Sequence, residues 1–536
     1  MWLATPGDKG TAQVHCASYG GGENIITFAG TTTNERVITW AIHRMVPAAL
    51  VGLCLWRIFG GLDPTVRFFD DFFYYLKAAQ NWVDGAGSTF FPGESTNGYH
   101  PLWFLWLSAL YAVTGRDPAF FAGVDISVTI LLIGFFFLFE RFLQQVTGRR
   151  LPAAVGAAVA TIVIAPFAAW GLEMALTVFL AAALLRHLTR TPLAEQSTRN
   201  AAVAGLLCAL MVLARIDAIV LAPLLLAAIA PTWGWRRTLA AVAGAFPLGL
   251  YAWFNEVFYG HFSTTSMAAK SLGSYLPPNL HFVSVDLPFP GANAMQLAAV
   301  VAVVGTLARR LENRDARRIV LALAAAPVVQ LVLQSVMSGW MMFCWYLYFE
   351  NMALGVAAAL VAVELTRSPA RTRRVGVPVG VLTLAVLCAT VTFEARPQPV
   401  QGGISQAAHQ LRDFAQQHPG VYAMGDAAGT PAWLMTQPVV HLEGLMMSHA
   451  FLKLIREQRP LWAVFKRYEV NYYVAVRPEF TDDSGCQHYR EPNSRQSSSR
   501  APAMSMTICQ QPIHEIRAGS YHMRIYRIDP ATGLPG

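Results

Sequence analysis

The chain has 536 residues, 54% of them hydrophobic and 13% charged, with a net charge of +8 and a mean hydropathy of +0.39. Soluble domains average about 25% charged residues, so the composition excludes an ordinary soluble enzyme and describes a polytopic membrane protein. The basic residues sit in short loops between apolar segments, as the positive-inside rule expects, so the positive charge calls for no nucleic-acid partner.

Residues 1–36 are polar and Gly/Thr-rich and lack a basic stretch followed by an apolar one. They read as a disordered cytoplasmic lead, not a secretory signal. A first span is expected at 37–59. Further apolar segments follow at 119–143, 152–170, 171–188, 199–214, 216–231, 238–257, 295–309, 319–338, 343–364 and 375–393. Several fall short of the ~20 residues that cross unaided. The first outer loop, 60–118, holds the most unusual stretch, FFDDFFYYLKAAQNWVDGAGSTFFPGESTNGYHPLW at 68–103. Ionised Asp is costly near hydrocarbon, so Asp70 and Asp71 at the membrane surface form a functional-site hypothesis. The bland alternative is a solvated acidic loop, and the flanking aromatics argue against it.

The apolar run 101–114 decides the topology. If it does not cross, the basic loops at 149–150, 186–199, 236–237, 309–318 and 367–374 all share the side of the N-terminus. The expectation is therefore about eleven spans, in a transmembrane domain over 37–393, with the helix at His100-Pro101 lying along the outer face. Proline suits a first helical turn, where its missing N–H would be unpaired anyway. This count gathers Asp70, Asp71, Glu173, Arg215, Asp217, Lys270 and the aromatic turn with Tyr346 on one face.

From about Glu394 the composition shifts. Short β-like runs at 421–424, 439–442, 472–476 and 523–528 alternate with helix-like stretches at 405–417 and 450–459, which reads as an outer α/β domain over 394–536. Cys486 and Cys509 are the only cysteines in this domain, which is placed outside, where a disulfide forms and persists. The other cysteines are scattered, and several lie in apolar runs as small buried hydrophobes. Zinc-type spacing, internal repeats and nucleotide-binding glycine motifs are not seen.

Outside the membrane a transferase needs a donor carried by a lipid, such as a polyprenyl-phosphate sugar. Transfer requires a carboxylate to take the acceptor's hydroxyl proton, a cation to stabilise the departing phosphate, and a groove that aligns both. Asp70 or Asp71 suits the first part, Lys270 or Arg215 the second. The acidic pair in the first outer loop resembles the GT-C superfamily of glycosyltransferases, which use polyprenyl- or dolichyl-phosphate sugars. The finer pattern D-D-x-x-Y-Y-L followed by T-N-G-Y-H-P-L-W resembles a bacterial branch and is similar to the T-H-P-L-W of the mycobacterial terminal arabinofuranosyltransferase. Weaker matches lie at Gly171-Leu172-Glu173, at 213–217, and at 255–270, where Tyr259 replaces a Phe and Ser263-Thr264 stand near an expected Pro. In the outer domain Gly425-Asp426 and Glu443-Gly444-Leu445 resemble a G-D…D-x-x-G-L pattern, with His441 in place of the Asp.

The resemblance covers about 70–530 and implies Asp70 as the base. Asp71 would then orient the acceptor or a divalent cation near the pair. Asn97, His100, Glu173, Arg215, Lys270 and Tyr346 are the substrate-binding candidates. The expected activity is transfer to a hydroxyl of a cell-envelope glycan, lipid or protein, on the outer (periplasmic) face of a bacterial inner membrane. No WWD motif is seen, which disfavours an oligosaccharyltransferase. Each candidate has a plainer reading: Asn97 as a turn residue, His100 as helix packing, Glu173 as a solvated turn, Arg215 with Asp217 as a structural ion pair, Lys270 snorkelling to headgroups, Tyr346 in an interfacial belt. The rival classes are a transporter or flippase of lipid-linked glycans, which should show repeat symmetry, and a membrane scaffold.

Overall fold

The computed structural model describes residues 33–116, 118–273, 275–279, 292–367, 399–519 and 521–536. Its first part is helical. In chain order the helices are α1 (Thr33–Phe59), α2 (Pro64–Arg67), α3 (Asp70–Val83), α4 (Pro101–Thr114), α5 (Pro118–Thr147), α6 (Arg150–Ala168), α7 (Met174–Thr189), α8 (Thr198–Ala214), α9 (Leu221–Gly244), α10 (Phe246–Tyr259), α11 (Thr265–Lys270), α12 (Ala292–Ala308), α13 (Arg314–Met337) and α14 (Tyr348–Arg367). Six helices among the described residues are long and apolar enough to cross a membrane, and four shorter ones are apolar but span 10–17 residues. The chain is a multi-pass membrane protein.

The expected spans from 37–59 through 343–364 all fall on helices; the one at 375–393 lies outside the described residues. The break between the spans at 216–231 and 238–257 falls in the expected gap, at Gly234, with φ 69° and ψ 174°, beside Arg236-Arg237. Only glycine adopts that left-handed backbone without strain. A further break at Ala245 divides the second span.

α4 does not traverse the bundle. At its start, the Trp103 indole N–H donates to the Gly171 carbonyl at 3.0 Å. A side chain at Gly171 would meet Phe68 and Phe72, which pack on Phe120 and Phe121 at the start of α5. Tyr111, in the last turn of α4, packs on Phe120 as well. Both ends of α4 therefore lie at the same end of the bundle, as the charge count expects. On the reading that this end faces outward, Arg116→Cys, on the exposed turn after α4, reacts with an impermeant thiol reagent from outside intact cells. Labelling only after permeabilisation would reverse the orientation.

The rest of the chain folds around a sheet. It contains α15 (Pro399–Gln417), β1 (Tyr422–Met424), α16 (Gly429–Leu434), β2 (Val439–His441), α17 (His449–Arg456), α18 (Leu461–Arg467), β3 (Tyr472–Ala475), β4 (Phe480–Thr481), β5 (Gln487–Glu491), β6 (Met504–Ile508), β7 (His514–Ala518) and β8 (Tyr521–Arg527). The five-stranded sheet has the order β2-β1-β3-β8-β7, with β1 parallel to both neighbours and the β3-β8-β7 side antiparallel. β1 and β2 are buried at every residue, as strands covered on both faces are. The expected strands match β1, β2, β3 and β8. The three-stranded sheet β4-β5-β6 is too polar and short to announce itself in the sequence.

Cys486 and Cys509 are bonded, with their Cα atoms 4.1 Å apart. They flank the β5–β6 pair one position beyond the Gln487↔Ile508 register, so the bridge closes the hairpin at its open end. At the other end the 492–503 loop pairs with 339–341: Met341 N–H donates to Gln496 O at 2.8 Å, and Ser498 N–H to Gly339 O at 2.6 Å. Closing a loop of this size stabilises by about 3 kcal/mol in the chain-entropy model. We expect Cys486→Ser with Cys509→Ser to lose stability of that order, and non-reducing peptide mapping of the wild type to recover the joined peptides.

Candidate active site

The site forms where the 60–118 loop, the 260–273 segment, the 338–346 turn and the sheet domain meet. The loop's motif residues carry that junction. Asn97 is 1% exposed; its Oδ1 accepts from Thr265 N–H at 2.9 Å and its Nδ2 donates to Ser263 O at 3.3 Å. Gly98 lies so close to the Leu445 carbonyl that a Cβ there would collide with its oxygen. T-N-G and E-G-L, far apart in sequence, are two halves of one contact.

The two aspartates at the start of α3 differ. Asp70 is 3% exposed, and its carboxylate accepts the backbone N–H groups of Thr430 at 2.6 Å and Gly429 at 3.1 Å. It docks the first turn of α16 onto the loop, where partial positive charge favours an anion. Burial pushes its pKa up while those N–H groups pull it down. Asp71 is half-buried and makes no hydrogen bond to the described residues. Burial, then the charge of Asp70, pushes it up to about 7, against the pull of Lys270.

Both aspartates line a cavity of ≈ 160 Å³ whose other walls include Asp426, Glu443, Lys270, Arg477, Arg495, Tyr521 and the aromatic rings of Phe69, Trp170, Phe343 and Trp345. Burial, then Asp70, pushes Asp426 up to about 6; burial and the surrounding carboxylates raise Glu443 well above its ordinary value. A second cavity of ≈ 240 Å³ lies beside it. It is mostly apolar, walled by Ile219, Val220, Met267, Leu333 and Met337, with His100, Asp217 and Tyr346 at its polar end. Lys270, Trp340 and Met341 line both cavities.

Lys270 ends α11, where a cation suits the helix dipole. Its ammonium donates to the Tyr346 hydroxyl at 2.8 Å and lies over the Trp340 and Tyr346 rings. Burial lowers its pKa, but Tyr346 and Asp71 outweigh burial and hold it above its ordinary value. The ammonium is therefore charged and has no ion-pair partner among the described residues.

No family model matches the chain, and no curated protein matches it. Solved structures do. An oligosaccharyltransferase from Archaeoglobus fulgidus, tethered to an acceptor peptide containing an NVT sequon, superposes with a TM-score of 0.53 at 12% identity, covering 83% of this chain and 69% of that one. The A. fulgidus enzyme AglB in complex with an inhibitory peptide and a dolichol-phosphate gives 0.52 at 12% identity, with the same coverages. The chain has a GT-C-like fold. ArnT from Cupriavidus metallidurans bound to undecaprenyl phosphate gives 0.49 at 14% identity over 84% of this chain and 94% of that one.

Within this GT-C fold the sequence candidates divide into three groups. Asp70, Asp71 and Lys270 line the acidic cavity, and His100, Lys270 and Tyr346 the apolar one. Asn97, Glu173 and Arg215 line neither and buttress the walls. Arg215 is 1% exposed; it is paired to Glu173 at 2.6 Å and to Asp217 at 2.8 Å, with Tyr346 and Tyr348 over its guanidinium. Glu173 also accepts from the Tyr75 hydroxyl at 3.0 Å. His100 accepts the Ile216 N–H on Nδ1 at 3.1 Å, which leaves the Nε2 proton facing Glu173 at 3.6 Å. Burial, then Arg215, pushes its pKa down to about 3, so the ring is neutral.

The acidic wall of the sheet domain, Asp426 and Glu443, is absent from the sequence candidates although the G-D and E-G-L matches marked both positions. A divalent cation near Asp70 and Asp71 finds no ready set of ligands: among the described residues no three His, Cys, Asp or Glu side chains converge to hold one, and Asp70 spends both oxygens on backbone N–H groups. No step is derived through a metal.

Proposed function

We propose that this protein is a membrane glycosyltransferase that moves a sugar from a polyprenyl-phosphate donor to a hydroxyl of a cell-envelope glycan, lipid or protein, on the outer face of a bacterial inner membrane. The observation that carries the reading is Lys270, a cation without an ion-pair partner among the described residues, at the partition between an apolar cavity and a carboxylate-lined one. A lipid phosphate with a sugar attached has that polarity: an apolar chain, a charged centre and a hydroxylated end. The likeness in fold to AglB in complex with a dolichol-phosphate supports it.

The chain lies in the apolar cavity and the phosphate meets Lys270. Asp71 takes the proton of the acceptor hydroxyl as its oxygen bonds to the anomeric carbon. The bond from that carbon to the phosphate oxygen breaks, and the electron pair leaves on polyprenyl phosphate, beside the Lys270 ammonium. Asp71 fits the base because it is not hydrogen-bonded and titrates near neutrality, where a general base is most effective. Asp70, the base implied by the resemblance, acts here as the residue that positions α16 and raises its neighbour.

Mass spectrometry of surface glycans and lipid-linked sugars, with and without the gene, tests the reading. A shortened glycan together with accumulated polyprenyl-phosphate sugar is expected. Complete lipid-linked glycan accumulating on the inner leaflet would mean a flippase and overturn it.

A further inference from the structure

Glu443 is a costly residue with no structural return. It is 2% exposed and lines the acidic cavity, yet its Oε1 has no hydrogen-bond partner among the described residues. Its Oε2 has only His441 Nε2, 3.4 Å away, and His441 is held neutral by burial. The charges that act on Glu443 come from Asp426, Glu491, Asp71 and Asp70, all carboxylates. A buried carboxyl oxygen left without a donor destabilises a fold whether or not the group is ionised, so its presence points to donors that arrive with a ligand.

Aromatic rings lining the same cavity supply the complement. Trp170 stacks on Phe69, with centroids 5.0 Å apart and planes at 18°, and Trp345 stacks on Phe343, at 4.4 Å and 2°. The cavity thus sets flat apolar rings against hydroxyl acceptors. A sugar ring has a C–H face for the first and a rim of O–H donors for the second. A uronate or phosphate in this cavity would bring negative charge beside Asp70, Asp71 and Asp426, which costs binding energy. Arg477 and Arg495 also line the cavity, and their charges act on Asp426.

We propose that Glu443, with Asp426, forms the acceptor subsite, and that the accepting unit is a sugar residue without negative charge whose neighbouring hydroxyls donate to these carboxylates. This rests on the transferase reading and adds the class of acceptor to it.

The test is binding to the full-length protein in detergent or nanodiscs. Trp170, Trp340 and Trp345 line the cavity, so tryptophan fluorescence reports occupancy. The probes are the methyl glycosides of mannose, glucose, galactose and arabinofuranose, glucuronate and galacturonate, and neutral oligosaccharides released from the envelope of cells lacking the gene. At least one neutral probe should give a saturable change, with an apparent Kd at least tenfold weaker in Glu443→Gln, and that variant should melt no lower than wild type. Asp426→Asn should weaken the same probe and carries the test if Glu443→Gln does not fold.

No saturable response to any neutral probe, equal binding of the uronates, or an unchanged Kd in the variants overturns the subsite. Glu443-dependent binding without sugar transfer in membranes would leave the subsite and remove the transferase. Transfer with an unchanged acceptor KM in Glu443→Gln would do the reverse.

Discussion

Asp71→Asn should lower transfer by about 10²–10⁴-fold, the usual worth of a positioned general base, with the protein folded and its melting temperature unchanged or higher. Asp70→Asn should behave differently. An amide oxygen can accept one of the two N–H groups now bound by Asp70, and leaving the other unpaired costs about 1–3 kcal/mol. That variant should melt earlier and lose the docking of α16. The pair of melting curves and rates separates a chemical role from a positioning one. The wild type adds a pH signature. Asp71 is held near 7, and a base works deprotonated, so the rate should rise with pH through about 7. At pH 6 about a tenth of Asp71 is ionised, and the rate should fall accordingly. Activity in Asp71→Asn within a factor of three of wild type would discard Asp71 as the base.

Lys270→Met should cost about 10²–10³-fold in kcat, comparable with removal of one preorganised group that stabilises charge at a leaving oxygen. The loss should appear at saturating donor, because charge on the bridging oxygen grows during bond breaking. Lys270→Arg should recover part of it, since the charge is restored in a different shape. Tyr346→Phe should have a smaller effect: it removes one hydrogen bond and leaves the ring that faces Arg215 and Lys270 in place. A Lys270→Met protein with wild-type kcat would place the phosphate elsewhere.

Several parts of this arrangement were legible in the sequence for physical reasons. Ionised carboxylates beside hydrocarbon are costly, which singled out Asp70 and Asp71, and the need for a cation on the same face pointed to Lys270. Basic loops mark one side of a membrane, which kept α4 from being counted as a span. The shift in composition near Glu394 marked the sheet domain. What was hidden depends on partners distant in sequence. Asp70 and Asp71 look equivalent until residues 359 and 360 positions from Asp70 arrive to bind it. Arg215 looked available for phosphate until Glu173, 42 positions earlier, paired with it. The basic pair near Gly234 marked the break there, but the unbroken apolar run across Ala245 gives no sign of the second one.

The bond between Asp70 and α16 also has a consequence in time. A ribosome adds about 5–20 residues per second, so the 360 positions between Asp70 and Thr430 take tens of seconds to make. During that interval the first outer loop already exists, while its most buried carboxylate lacks both of its N–H partners and half of the surrounding wall. The acidic cavity is walled in part by residues made long after the loop that carries the two aspartates. A protein stalled or truncated before residue 430 therefore lacks both N–H partners of Asp70 and leaves that carboxylate to water.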